Sequence, residues 1–205
     1  MADRRDVRDA YDAIAAGYDE HRSNDPGELE AVATFADDLG PDAHVLDAGC
    51  GAAEPVTTYL DARVRTTGLD FSRGQLALAA DRVAEAGLVQ GDMTSLPFPD
   101  GTFDGMVSMF AVIHIPREEH ARVFAEFARV LRPGSPALVT VGSEDWRGEN
   151  TDWMGLGREM QWDIPGVERA RELLAEVGFD IEDVSVYEDD VSEEAGDWPV
   201  LSVLA

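Results

Sequence analysis

The chain has 205 residues and carries 42 acidic against 16 basic residues, which gives a formal net charge of −26. It contains no lysine, so a Walker A phosphate loop and a pyridoxal-phosphate Schiff base, which both require lysine, are excluded. The charge disfavours direct binding to a nucleic-acid backbone at ordinary salt, and the single cysteine, Cys50, can form neither an internal disulfide nor a Cys-x-x-Cys metal site.

The length and the hydrophobic fraction of 44% are typical of one domain with a sizeable core. No apolar stretch approaches the ~18 residues of a membrane span, and Met1–Asp6 shows no apolar signal region, so we expect a cytoplasmic protein. Acidic, lysine-free chains also resemble proteins of salt-loving organisms, in whose concentrated brine such self-repulsion is screened. Under that interpretation the acidity reflects habitat more than a binding partner.

The first forty residues are predicted to form two helices that cap the rest of the domain. Apolar residues at helical spacing from Tyr11 to Tyr18 predict the first helix. Asp25 as N-cap and Pro26 at the first helical position predict the start of the second, which ends at Gly40.

Short apolar runs then alternate with helical segments, which predicts a parallel sheet covered by helices. Two of the predicted helices span about 53–62 and 116–131. Residues 41–142 form the predicted cofactor-binding core, and residues 143–205 form a substrate-side segment with a final hairpin. We expect 143–166 to be irregular. The predicted strands are 44–47, 64–69, 87–90, 103–110 and 137–141, followed by two antiparallel strands near 179–187 and 198–204.

A small-residue turn follows the first predicted strand and is the strongest motif of the sequence. Gly49 and Gly51 allow positive φ and a close approach of the backbone to a ligand, and Asp47 precedes them. A dinucleotide fingerprint would require glycine where Glu54 stands, and a carboxylate there would repel a pyrophosphate. The turn therefore favours a ligand without phosphate over a nicotinamide dinucleotide.

Acidic residues follow the next two predicted strands. Asp70 is placed to accept hydrogen bonds from ribose hydroxyls, with a helix-capping aspartate as the alternative. We favour the ribose role because Ser72, with Gln75 as its capping-box partner, already caps the following helix. Asp92 can accept a hydrogen bond from an adenine amino group and Met93 can pack on the ring, or the two can be a loop aspartate and a core methionine.

The three motifs, each after its own strand, together resemble the class I S-adenosylmethionine-dependent methyltransferases over roughly residues 5 to 142. The resemblance implies a Rossmann-like three-layer α/β sandwich whose seven-stranded, mostly parallel sheet has an antiparallel last strand. It also implies S-adenosylmethionine as cofactor, with Ala53 departing from the family's usual third glycine. The implied cofactor-binding residues are Tyr18, Asp47, Gly49, Gly51, Asp70, Phe71, Asp92, Met93 and Met109.

Within that family the first helix often folds over the cofactor, so Tyr18 is expected to act as a lid, with a core aromatic as the alternative. Arg22 is a possible partner for the methionine carboxylate, although a solvated charge is the favoured interpretation. The substrate-pocket candidates are Trp146, Trp153 and Trp162, which could instead pack the last helix onto the sheet.

His114 is the best-placed candidate for a catalytic base, and Asp145 is a weaker one. The alternative for His114 is a structural role, in which the side chain hydrogen-bonds to the backbone near the start of a helix. The sequence thus predicts methyl transfer to a small-molecule acceptor, without membrane or metal involvement and with nucleic acid disfavoured. An RNA methyltransferase and a non-catalytic S-adenosylmethionine-binding protein are the alternatives. The acceptor and the oligomeric state stay open.

Overall fold

A computed structural model describes residues 3–21, 26–189 and 196–205. The helices are α1 (Arg4–His21), α2 (Pro26–Asp37), α3 (Val56–Asp61), α4 (Arg73–Ala79), α5 (His120–Val130) and α6 (Val167–Glu176). The strands are β1 (His44–Ala48), β2 (Arg65–Asp70), β3 (Gly87–Gln90), β4 (Gly105–Ser108), β5 (Pro136–Thr140), β6 (Trp146–Asn150), β7 (Met160–Ile164), β8 (Asp180–Asp189) and β9 (Gly196–Leu204).

Seven of these strands form one sheet in the order β3-β2-β1-β4-β5-β9-β8. Strands β1 to β5 run parallel, and β9 lies antiparallel between β5 and β8. The central strand is buried on both faces, as Val45, Leu46 and Ala48 are each 0% exposed, which is the pattern of a parallel sheet covered by helices on both sides. The predicted Rossmann-like fold with an antiparallel last strand is confirmed.

The prediction that 143–166 is irregular is wrong, because β6 and β7 form a separate antiparallel hairpin. Strand β6 is mostly exposed and polar, so it lacks the alternation that marks a strand in sequence. The buried carboxylate of Asp163 in β7 holds the hairpin to the domain, since it accepts a hydrogen bond from the Arg117 amide at 2.9 Å and pairs with Arg147.

Two helix starts differ from prediction. The helix expected from residue 53 begins at Val56, because Ala53 still belongs to the left-handed turn. The helix expected from residue 116 opens with a 3₁₀ turn, so that α5 begins at His120. The expected N-cap Asp25 lies outside the described residues, while α2 begins at Pro26 as predicted.

Helix α1 lies across the carboxyl ends of the central strands and contacts α4 closely. Its Asp12 accepts hydrogen bonds from the Ser72 hydroxyl at 2.7 Å and from the Gly74 amide at 2.8 Å. A Cβ atom on Gly74 would lie 2.9 Å from the Asp12 carbonyl oxygen, so only glycine permits this approach. The apolar face of α1, which includes Val7 and Ile14, packs against Met160 of β7.

The turn after β1 uses left-handed backbone at alternate residues: Gly49 (φ 93°), Gly51 (φ 53°) and Ala53 (φ 73°). For an L-residue such as Ala53 this conformation costs about 1–2 kcal/mol, which glycine avoids. Ala53 therefore fills the third glycine position of the motif with a strained residue.

We expect Ala53→Gly to leave the free energy of unfolding nearly unchanged. The substitution removes the strain of the positive φ, and this gain offsets the loss of a buried methyl group and the greater conformational entropy of glycine in the unfolded chain. The neighbouring Ala52→Gly lacks that compensation, since Ala52 has no positive φ. The free energy of unfolding measured with urea should differ by about 1–2 kcal/mol between the two variants, with Ala53→Gly the more stable. Equal losses in the two variants would show that Ala53 stores no strain.

Candidate functional site

A cleft opens at the carboxyl ends of β1, β2 and β4, below α1, and encloses about 660 Å³, part of it continuous with solvent. Ligands of open parallel sheets bind at this edge. Eight of the nine predicted cofactor residues line the cleft: Tyr18, Gly49, Gly51, Asp70, Phe71, Asp92, Met93 and Met109. The structure therefore brings together residues from five separate segments of the chain.

Asp70 ends β2 at the cleft, and only 7% of its surface is exposed. Its carboxylate accepts hydrogen bonds from the Gly51 amide at 2.9 Å and the Ser72 amide at 2.8 Å. Burial raises the pKa of Asp70 to about 6, although these backbone bonds favour the charged form. Asp70 therefore both braces the local turn and presents a fixed carboxylate to the cleft.

Asp92 lies on the cleft with its carboxylate already engaged by protein donors. One oxygen accepts from the Thr94 amide at 2.9 Å and the Thr94 hydroxyl at 2.8 Å, and the other pairs with Arg4 of α1. Arg4 also pairs with Glu119 at 2.6 Å and itself lines the cleft. Arg4 is not among the site residues predicted from the sequence, because its contact with Asp92 joins residues 88 positions apart.

Asp47 does not line the cleft. Its carboxylate is 2% exposed and accepts a hydrogen bond of 2.6 Å from the Thr57 hydroxyl of α3. This places Asp47 beneath the glycine turn, where it ties the end of β1 to the following helix. Its predicted contact with a cofactor remains a prediction.

Gln75 of α4 is a site residue that the sequence argument missed. Ser72 caps α4 by accepting from the Gln75 amide at 3.1 Å, but the Gln75 side chain does not complete the predicted capping box. It is 2% exposed, and neither polar atom of its carboxamide has a hydrogen-bond partner among the described residues. It lines the cleft and also a second hollow beside Gly51, Glu54 and Arg82.

The three tryptophans predicted for a substrate pocket do not line the cleft. Trp153 packs behind it against Tyr18 and Tyr11, with ring centroids 5.1 and 5.7 Å apart, and Trp162 packs against His114 at 5.9 Å. Trp146 lies further out and is 50% exposed. The tryptophans therefore form an outer wall that supports the lining residues.

Of the two base candidates, His114 lines the cleft and Asp145 does not. His114 Nδ1 lies 3.0 Å from the carbonyl oxygen of Gln161, and Nε2 lies 2.9 Å from the Tyr11 hydroxyl. Burial lowers the pKa of His114 to about 4. Asp145 instead accepts a hydrogen bond from the Gly166 amide at 2.8 Å, and Arg22 lies outside the described residues.

Within the described residues, no group of three or more His, Cys, Asp or Glu side chains is arranged to hold a metal ion. Over the same part of the chain, no helix combines the length and apolar character needed to cross a membrane. The fold and the cleft define a doubly wound α/β protein with a nucleoside-sized site at the carboxyl edge of its sheet.

Comparison with known proteins shows that part of this chain is similar to a known family. The family description "Methyltransferase domain" matches residues 45–134. The chain is 42% identical over 101 residues to a phosphatidylethanolamine N-methyltransferase of Cereibacter sphaeroides, covering 46% of this chain and 48% of that protein. It is 32% identical over 167 residues to 24-methylenesterol C-methyltransferase 2 of Arabidopsis thaliana, and the match covers 74% of this chain and 45% of that protein.

Among solved structures, the fold resembles the 1,6-didemethyltoxoflavin-N1-methyltransferase of Burkholderia thailandensis, with a TM-score of 0.75 at 19% identity, covering 98% of this chain and 87% of that one. Over residues 45–134 the chain is therefore similar to the class I S-adenosylmethionine-dependent methyltransferases, and the cofactor of that class is S-adenosylmethionine. The chain spans about half the length, or less, of the first curated relatives it matches (48%, 41% and 27%).

We predict that the His114 imidazole stays neutral in the folded protein until the pH approaches about 4. In the unfolded chain its pKa is about 6.5. The stability that this neutral group contributes is therefore present above pH ~6.5 and is lost as the pH falls toward ~4. A ¹⁵N NMR titration of the ligand-free protein should show this, with the proton on Nδ1 at neutral pH. Titration of His114 near the unfolded value would contradict the prediction.

Proposed function

We propose that this protein transfers a methyl group from S-adenosylmethionine to a small, apolar acceptor. The observation that carries the proposal is the fixed Asp70 carboxylate on the cleft, beside the glycine turn and between Gln75 and Phe71. A carboxylate in this position can accept hydrogen bonds from a ribose diol, and the adjoining residues suit the base and the amino-acid tail.

The lining also fits this cofactor better than it fits a dinucleotide. Glu54 borders the second hollow together with Gly51, and a carboxylate there opposes a pyrophosphate. The unpartnered amide of Gln75 supplies one donor and one acceptor where the two hollows meet, which suits an amino-acid tail. Phe71 and Met93 offer apolar surface for an adenine ring.

When bound, S-adenosylmethionine supplies a methyl carbon on a positively charged sulfur, so the donor is already activated. The residues of the chain then have to position the acceptor in line and exclude water, and alignment of this kind is worth roughly 7–11 kcal/mol. Helix α1 closes the cleft from above, and the aromatic wall behind Tyr11 and Tyr18 restricts solvent.

The rest of the lining supports a small apolar acceptor. Met109, Phe110, Ala111 and Ile115 follow β4, and none of them carries a charge. The relatives' names specify a phospholipid and a sterol as acceptors, which agrees with an apolar surface at this position. The net charge of −26 disfavours an RNA acceptor. Measured turnover of a methyl acceptor would distinguish an enzyme from a protein that only binds the cofactor.

Asp70→Asn is expected to weaken S-adenosylmethionine binding by about 10–100-fold, because hydrogen bonds to a charged group contribute about 1.5–3 kcal/mol. Isothermal calorimetry in concentrated KCl measures this, with S-adenosylhomocysteine as a second ligand. The matched control Asp42→Asn changes the same charge at an exposed site away from the cleft and should bind normally. Absence of micromolar binding by the unchanged chain would refute the proposed function.

The affinity for S-adenosylmethionine should also fall as the pH drops from about 7.5 to about 5, because the pKa of Asp70 is about 6 and a protonated carboxyl is a poorer acceptor. Binding near pH 6 should release a proton, which calorimetry in buffers of different ionisation enthalpy detects. Neither effect should remain in Asp70→Asn. An affinity that is independent of pH over this range would argue against a ribose contact.

Gln75→Leu should have opposite effects on stability and binding. Removal of an unpartnered buried carboxamide leaves the ligand-free protein equally stable or up to about 1–2 kcal/mol more stable. S-adenosylmethionine should bind about tenfold or more weakly, because its polar tail loses a partner. Urea unfolding and calorimetry measure the two quantities, and unchanged affinity would remove Gln75 from the site.

A further inference from the structure

Tyr11 and His114 form a buried hydrogen-bonded pair on the part of the cleft that the cofactor assignment leaves free. The Tyr11 hydroxyl lies 2.9 Å from His114 Nε2, and the two side chains are 9% and 7% exposed. Tyr11 comes from α1, whereas His114 ends the 3₁₀ turn that follows β4. Both residues line the same cleft.

The hydrogen bonds fix the direction in which a proton can move through the pair. A carbonyl oxygen can only accept, so His114 Nδ1 carries the proton that is donated to the Gln161 carbonyl. In a neutral imidazole Nε2 is then unprotonated and accepts the Tyr11 proton. The Nε2 lone pair therefore accepts from the Tyr11 hydroxyl, and both side chains line the cleft.

We propose that Tyr11 is the catalytic residue that accepts the acceptor's proton, and that His114 is the base behind it, so that the acceptor is an uncharged molecule whose nucleophilic oxygen carries a proton. This inference rests on the proposed function and names its substrate class. It favours hydroxyl acceptors over neutral amines, because an amine attacks through its lone pair without losing a proton and its ammonium product is too weak an acid to protonate this imidazole.

The proton transfer balances in charge and in atoms. As the acceptor's lone pair forms the new bond to the methyl carbon, the electrons of the broken carbon–sulfur bond stay on sulfur, whose positive charge is lost. The acceptor's proton passes to the Tyr11 oxygen, and the Tyr11 proton passes to His114 Nε2. The cleft thus begins and ends with one positive charge, first on sulfur and then on the imidazole, so no net charge has to be buried or expelled.

A weakly basic imidazole is sufficient for this step. Burial lowers the pKa of His114 to about 4, which keeps it neutral and ready to accept at neutral pH. The acceptor's proton becomes strongly acidic once its oxygen bonds to the methyl carbon, so the transfer to Nε2 is favourable. The Gln161 carbonyl, which accepts from Nδ1, stabilises the resulting imidazolium.

The pair is held in place by aromatic packing. Trp153 contacts the Tyr11 ring edge-on with centroids 5.7 Å apart, and Trp162 packs against His114 at 5.9 Å. These contacts restrict both rings to one arrangement and keep water from competing for Nε2. The tryptophans therefore act as positioning residues for the pair.

The first test uses the ligand-free protein and needs no acceptor. In Tyr11→Phe the imidazole loses the donor that stabilises its neutral form, so the pKa of His114 measured by ¹⁵N NMR should rise. Tyr59→Phe, the same change on the far helix α3, should leave it unchanged. An unchanged His114 pKa in Tyr11→Phe would show that the two residues are not coupled, and would overturn the proposal.

The second test compares two probe acceptors, phenol and pentafluorophenol. Each is assayed with S-adenosylmethionine as the methyl donor at about pH 7.5, where phenol is protonated and pentafluorophenol is ionised. Loss of a general base typically costs 10²–10⁴-fold, so Tyr11→Phe and His114→Asn should lower kcat for phenol by about 100-fold or more with little change in KM. The loss for pentafluorophenol should be less than about tenfold, because it has no proton to transfer. Tyr59→Phe should behave as the unchanged chain with both.

The outcomes separate this inference from the proposed function. Equal losses for both phenols would show a structural role for the pair and overturn the inference alone. Micromolar S-adenosylmethionine binding without turnover of either phenol would likewise overturn it. Failure to bind S-adenosylmethionine would refute the proposed function itself.

Discussion

The site depends on one buried carboxylate. Asp70 sits at the end of β2 with 7% exposure, and burial of a charge is unfavourable unless hydrogen bonds replace the lost water. The amides of Gly51 and Ser72 supply those bonds and, in doing so, fix the turn after β1 to the start of α4. Burial still raises the pKa of Asp70 to about 6, so a ligand hydroxyl that donated to this carboxylate would favour its charged form.

Helix α1 completes the site through polar contacts at three places along its length. Arg4 pairs with Asp92 near its start, Asp12 accepts from the beginning of α4, and Asp19 pairs with Arg82 at its end. Each pair joins α1 to a loop or helix at the cleft, so the cap and the ligand surface are positioned together. In a chain with this excess of acidic groups, such arginine pairs also offset local repulsion between carboxylates.

Two of the three non-glycine residues with positive φ in the described part of the chain lie at the cleft or in the turn beside it; the third is Met154. Ala53 and Phe110 both adopt positive φ, at 73° and 53°, a conformation that residues with a Cβ rarely adopt. Phe110 lines the cleft directly after β4, and Ala53 completes the turn that holds Gly51. Strained residues persist where the surrounding packing over-determines them, and here the Trp198 ring packs on Phe110 with centroids 5.3 Å apart.

The sequence by itself determined the sheet, its antiparallel end and the segments that meet at the cleft, because glycine turns and strand-end carboxylates are local features that a parallel sheet always brings to one edge. Tertiary structure alone decided which side chains face each other. Tyr11 and His114 are 103 positions apart. The sequence predicts Gln75 as the capping-box partner of Ser72, whereas its side chain lines the cleft, and Trp162 packs behind the lining residue His114. Periodicity and composition report that a residue is buried, but not which distant residue it meets, since that depends on how α1 and the β6–β7 hairpin pack across the sheet.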